Sequence, residues 1–160
     1  MRQPIHPRLR FGGFTLMELM IAVVVVGILA SIAYPAFTST IQRSRRADAI
    51  AALSALTQAQ ERYRSNHAAY ADSVDTLSVN VEKVYKYYDV SFAGIGESGF
   101  KSGYVVTATP KRGGSQASDR DCATLSIRLD GSIFKYEAVD SKGVSSAKNC
   151  WGRDHGSSST

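Results

Sequence analysis

The sequence predicts an α+β fold: one long N-terminal helix, apolar in its first half and amphipathic in its second, packed on a roughly four-stranded antiparallel sheet. Three observations predict it. Nineteen consecutive residues without formal charge run from Leu19 to Phe37. Apolar residues then recur every three or four positions as far as Tyr63. Four short stretches rich in aromatic and β-branched residues follow, two of them flanking Asp130-Gly131.

At 160 residues the chain has room for one small domain plus an anchor. Its net charge of +5 depends on Arg2, Arg8 and Arg10, which precede the apolar run. Without Met1 to Gly13, 16 basic and 14 acidic residues remain, a net +2. The basic balance is therefore weak ground for nucleic-acid binding. It fits the positive-inside rule, which keeps such an N-terminus cytoplasmic.

The apolar run admits three readings. A secretory signal would be cleaved after Ser31-Ile32-Ala33. A plain anchor would cross roughly 30 Å of hydrocarbon at about 1.5 Å per residue. A third kind of chain is cut before the apolar stretch, on the cytoplasmic side. Glu18 separates them, because a carboxylate near bilayer depth costs on the order of a few kcal/mol and usually marks function. A signal or anchor has no use for it. In a filament subunit it pairs with the new N-terminal amine of a neighbour and enforces register, since an unpaired charge there is expensive.

Gly13-Phe14-Thr15-Leu16-Met17-Glu18, with arginines before it and the uncharged run behind it, resembles the class III signal of type IV prepilins. The resemblance implies that a membrane prepilin peptidase cuts between Gly13 and Phe14 and N-methylates Phe14. Glu18 becomes the fifth mature residue and the assembly residue. Glycine suits the cut because any Cβ would crowd the protease. Gly27 and Pro35 have a plain reading, as both residue types are commoner in membrane helices than in soluble ones. The resemblance implies that they loosen the helix between them. Gly27 with Ser31 also forms a weak small-xxx-small pair.

Beyond Thr40, Ala49, Leu53, Leu56, Gln60 and Tyr63 share one helix face with Ile50 beside it. Arg43, Arg45, Arg46, Asp48 and Arg62 occupy the remainder. Ser65-Asn66-His67 is the expected end, giving a helix roughly 75 Å long from Phe14 to Arg64. The cluster Arg43-Ser44-Arg45-Arg46 is expected to meet lipid headgroups or acidic faces of neighbouring subunits rather than DNA.

Strands are expected at Tyr85–Phe92, Tyr104–Thr109, Ala123–Leu129 and Ser132–Glu137. Between the second and third, Lys111 to Asp121 is a loop by composition. It lacks the Gly-Lys-Ser/Thr ending of a phosphate-binding loop, and Asp119, Asp121 and Asp130 lack calcium-loop spacing, so these acids are expected to be solvated. Lys111, Arg112 and Arg120 are its candidate ligand contacts. Cys122 and Cys150, an even pair in a domain placed across a membrane, suggest one disulfide with 27 residues between them. His6, His67 and His155 are too scattered to hold a metal. No catalytic constellation is present, so neither enzyme activity nor a cofactor is expected.

Thr107-Ala108-Thr109-Pro110, Asp121-Cys122, Thr124-Leu125 and Cys150-Trp151 are similar to PilE-type minor pilins. The combined resemblance implies a leader at 1–13 and a transmembrane and filament-core helix at 14–37. An amphipathic helix half at 38–66 and a globular domain at 67–160 follow, with a disulfide-bounded region at 122–150. It implies other pilin subunits, the peptidase, an inner-membrane assembly platform and membrane lipid as partners, with nucleic acid a candidate. The implied setting is the inner membrane with the domain periplasmic, then a surface pilus serving twitching, adhesion or DNA uptake. The alternatives are a type II secretion pseudopilin and a membrane-tethered adhesin or DNA-binding module. The serine-rich tail from Gly152 is expected to be mobile.

Overall fold

Apolar periodicity without a glycine or proline between Ala36 and Arg64 yields one uninterrupted helix, α1, from Leu16 to Arg64. It is seen in a computed structural model that describes residues 14–151. The expected leader and tail lie outside those residues. Two compact units divide between Thr38 and Ser39. The first holds the apolar part of α1, long and apolar enough to cross a membrane. Pro35 lies within the helix without interrupting it. Ser31 and Thr38 donate their hydroxyls back to the Ile28 and Pro35 carbonyls at 2.7 and 2.9 Å, which hides their polarity on an apolar surface.

In the second unit α1 buries Ala49, Leu53, Leu56, Ala59 and Gln60, the stripe that the spacing predicts as far as Gln60 plus Ala59, whereas Tyr63, expected on that face, is half-buried. A 3₁₀ turn at Asp75–Leu77 and a short helix, α2, at Glu82–Tyr85 lead to the sheet. Its strands are β1 (Tyr88–Ile95), β2 (Gly99–Pro110), β3 (Thr124–Asp130) and β4 (Ile133–Val139), each antiparallel to the next in chain order. Four strands were expected, but the first begins three residues later, because Glu82–Tyr85 turns helical and buries Val84. The second strand begins five residues earlier, at Gly99.

Register explains the two faces. Val90, Ala108, Leu125 and Ala138 stand in one row, and Phe92, Val106, Ile127 and Tyr136 in the next. These residues belong to the core or pack against it, together with Ala49, Leu53 and Leu56 of the helix. The intervening row, Ser91, Thr107, Ser126 and Glu137, points the other way. Gly103 permits the β2–β3 pairing, since a Cβ there would run into the Leu129 carbonyl oxygen. Gly131, at φ 62°, begins the two-residue turn between β3 and β4.

The last described element is α3 (Ala147–Trp151), which the Cys122–Cys150 disulfide ties to the start of β3. Its Cα atoms are 5.9 Å apart, and both cysteines are buried. Closing a loop of this length contributes roughly 3–4 kcal/mol in the chain-entropy model. Trp151 donates from its indole nitrogen to the Glu137 carbonyl at 3.0 Å and meets Tyr136 edge to face. It thereby covers part of the free edge of β4.

Candidate functional site

Two regions carry candidate functional residues, one in each unit. Along the first, every large apolar side chain from Phe14 to Phe37 is exposed, from 49% at Val25 to 84% at Phe14. At about 1.5–3 kcal/mol per side chain, covering fifteen such residues is worth tens of kcal/mol. Left in water, this surface would be costly. Nothing lies within 4 Å of a Cβ built on Gly27, so that position is also open to a close neighbour.

Glu18 stands in the first turn of α1, the one formally charged residue among the described residues from Phe14 to Phe37. Its backbone N–H donates to the Thr15 hydroxyl oxygen at 3.2 Å. Thr15 therefore caps the helix, and the carboxylate at the third helical position faces the positive end of the macrodipole. The Thr-x-x-Glu spacing matches the capping-box signature, and the threonine half of that box is the bond observed. Phe14 lies just ahead of the helix, and Gly13 lies outside the described residues.

In the second region, the buried stripe of α1 continues toward the N-terminus as Gln42, Arg45 and Arg46, spaced to share one face. All three bond to the connection between β2 and β3. Arg46 grips Asp119 through both carboxylate oxygens: Nη2 lies 2.8 Å from each and Nε 3.2 Å from Oδ2. The pair is well desolvated, with side-chain exposures of 13% and 3%. Gln116, wholly buried, donates from Nε2 to Asp119 at 3.1 Å and to the Gln42 carbonyl at 3.3 Å. Arg45 donates to the Ser115 hydroxyl at 2.6 Å and lies 4.0 Å over the Tyr87 ring. Gln42 donates to the Ser118 hydroxyl at 2.8 Å.

These contacts correct two expectations. Asp119 is not a solvated loop acid, because Arg46 compensates its charge where water does not reach. Arg46 and Arg45 do not await headgroups or neighbours, being engaged within the chain, whereas Arg43 is exposed. Tyr88 lies under the same cluster with 1% exposure. Burial pushes its phenol up to about 12, helped by the Asp119 charge and opposed by Arg46, Gln116 and Arg45. By distance and angle its hydroxyl has no hydrogen-bond partner among the described residues, and the Gln116 side chain beside it works against the upward shift.

The loop is wound rather than slack. Successive turns are closed by Gly114 N–H to Lys111 O, Ala117 N–H to Gly114 O and Asp119 N–H to Gln116 O, each at 3.0 Å. Lys111 N–H donates to the Tyr87 carbonyl at one end, and Ser141 N–H to the Arg120 carbonyl at the other. Lys111, Arg112 and Arg120 are thus carried on one braced segment. Arg112 and Arg120 are exposed and make no ion pair among the described residues; Lys111 has a loose, solvent-exposed one with Asp89 at 4.0 Å. No group of His, Cys, Asp and Glu suited to a metal occurs among the described residues.

Comparison with known sequences covers both regions. The family described as "Type IV minor pilin ComP, DNA uptake sequence receptor" matches residues 35–126, more than half of the chain. A prokaryotic N-terminal methylation motif matches residues 8–34. The chain is 42% identical over 89 residues to the type IV major pilin protein PilA of Myxococcus xanthus, covering 55% of this chain and 40% of that one. It is 37% identical over 76 residues to a fimbrial protein of Moraxella nonliquefaciens, covering 48% and 49%. To the type IV major pilin protein PilE1 of Neisseria gonorrhoeae it is 36% identical over 67 residues, covering 42% and 41%. The chain thus spans less than half the length of these curated relatives.

Proposed function

The chain belongs to the type IV minor pilin family, and from that membership we propose that it is a structural subunit of a type IV pilus, held in the membrane before assembly and in the filament core afterwards. The observation that carries this reading is the exposed apolar surface of α1 with a single carboxylate at its start. Lipid covers that surface before assembly, and the helices of neighbouring subunits cover it afterwards. The arginines of the leader keep the N-terminus cytoplasmic, and the disulfide suits a domain on the oxidising, periplasmic side.

Processing supplies the charge that Glu18 needs. A prepilin peptidase cuts between Gly13 and Phe14, freeing the Phe14 amine, which is then methylated and stays cationic. Glu18 of one subunit accepts the amine of another while the assembly platform lifts it from the membrane. Insertion out of register would leave a carboxylate unpaired in an apolar core, at a cost of several kcal/mol. Gly27 and Pro35 give the helix a weaker segment to adjust during this transfer.

Glu18→Gln and Glu18→Val, followed through leader cleavage and recovery in sheared filaments, test the pairing. Glutamine preserves the capping side chain but not the charge. Both variants are expected to be cleaved and to be lost from filaments. Normal recovery of Glu18→Gln contradicts the pairing.

A second reading is favoured by the family match, whose description names a DNA uptake sequence receptor and whose extent includes the entire β2–β3 loop. In this reading Lys111, Arg112 and Arg120 contact DNA phosphates from the outer domain. Adhesion and twitching motility are further tasks of the same filament.

A further inference from the structure

A segment containing Gly113, Gly114, Ser115 and Ser118 has little apolar surface to bury, so nothing hydrophobic holds it in place. Polar contacts hold it instead: Gln42 and Arg45 reach Ser118 and Ser115, and the buried set converges on Asp119. Its carboxylate takes the Arg46 fork and the Gln116 amide, and Gln116 in turn reaches back to the Gln42 carbonyl. Asp119 thereby links residues of α1 to the loop across 73 positions of sequence. The next residue is the exposed Arg120, and Lys111 and Arg112 open the same series of turns.

We infer that Arg46 and Asp119 form a positioning pair that holds the cations of Lys111, Arg112 and Arg120 in a fixed array for the phosphates of a DNA strand. The inference rests on the reading of this loop as a DNA contact and adds how the contact is organised. A polyanion bound by a slack loop must also order that loop, which weakens binding; a braced loop has met that cost on folding. Asp119 does not repel the ligand, because Arg46 neutralises it in a buried setting. Arg46 belongs to the loop's support and is not itself a phosphate contact.

This assignment has a sign opposite to that of simple charge. Asp119→Asn removes a negative charge next to Arg120, so net electrostatics raises DNA affinity. Positioning requires that affinity fall. Arg46→Lys keeps the charge and loses the two-pronged geometry, and positioning requires it to weaken binding too.

The test measures binding of a fluorescent duplex of random sequence by the full chain in detergent, as a function of salt. It compares the wild type, Asp119→Asn, Arg46→Lys and Arg112→Ser, with amide hydrogen exchange followed in each. Arg112→Ser is expected to weaken binding and flatten the salt slope by about one phosphate contact. Asp119→Asn and Arg46→Lys are expected to weaken binding several-fold with the slope kept, while amides from 112 to 120 exchange faster and β2 and β3 stay protected. Should Asp119→Asn lose sheet protection, Arg46→Lys gives the reading alone. Unchanged or tighter binding by the folded variants, beside a weakened Arg112→Ser, overturns the positioning pair alone. If Arg112→Ser binds as the wild type does, the DNA reading of the loop falls and takes the inference with it.

Discussion

The Gln60 side chain holds Ala71 from both sides: its Nε2 donates to the Ala71 carbonyl at 2.7 Å, and its Oε1 accepts the Ala71 N–H at 2.8 Å. Both residues are buried, so the amide supplies the two bonds that a neighbouring strand would otherwise give. This fastens the connection after α1 to the helix. Gln60→Leu, close in volume, strands a buried donor and a buried acceptor together. It is expected to destabilise the domain by about 2–4 kcal/mol in urea unfolding. Wild-type stability in that variant would mean that the connection is held by something else.

Tyr88 supplies a pH dependence. Its phenol is raised by burial from the ordinary value of 10.0 to about 12. The neutral phenol is the form that the fold accommodates. Its contribution is therefore fully present below about pH 10 and is lost as pH rises toward 12. That loss amounts to on the order of 2 kcal/mol over the window. Tyr88→Phe removes both the ionisation and an unpaired buried hydroxyl. The variant is expected to match or exceed the wild type near pH 7, and to lose less stability between pH 10 and 12. A parallel alkaline loss in the two proteins, followed by thermal melts, contradicts this assignment.

Local spacing made part of this molecule legible. Nineteen uncharged residues and the positions Ala49, Leu53, Leu56 and Gln60 define α1, because a helix writes its burial in steps of three and four. Alternation and Asp130-Gly131 mark β3, β4 and their turn. Tyr85 to Tyr87 carry strand-like side chains, yet Glu82–Tyr85 turns helical to bury Val84 in the core, where tertiary packing outweighs propensity. Gly99 to Gly103 look like loop residues, yet Gly99 pairs with Ile95 of β1 and Gly103 with Asp130 of β3.

The two candidate regions differ in the same way. Phe14 and Glu18 belong to a contiguous motif. The loop's cations were visible, but its support was not: Arg46 and Asp119 are brought together by the fold, and no local pattern joins them. Asp119 therefore looks like any solvated loop acid until the helix stripe is followed past Ala49 to Arg46, Arg45 and Gln42. The Thr15 cap of Glu18 was written in the motif itself, as a threonine three residues before a glutamate.

In the proposed function the apolar helix enters a filament behind a new, methylated N-terminus. Intact-mass and N-terminal peptide mass spectrometry of the protein recovered from its own cells tests this most directly. A chain beginning at N-methylated Phe14, with Glu18 as its fifth residue, is expected. A mature chain that begins at Tyr34, or one that keeps Gly13 joined to Phe14, contradicts it.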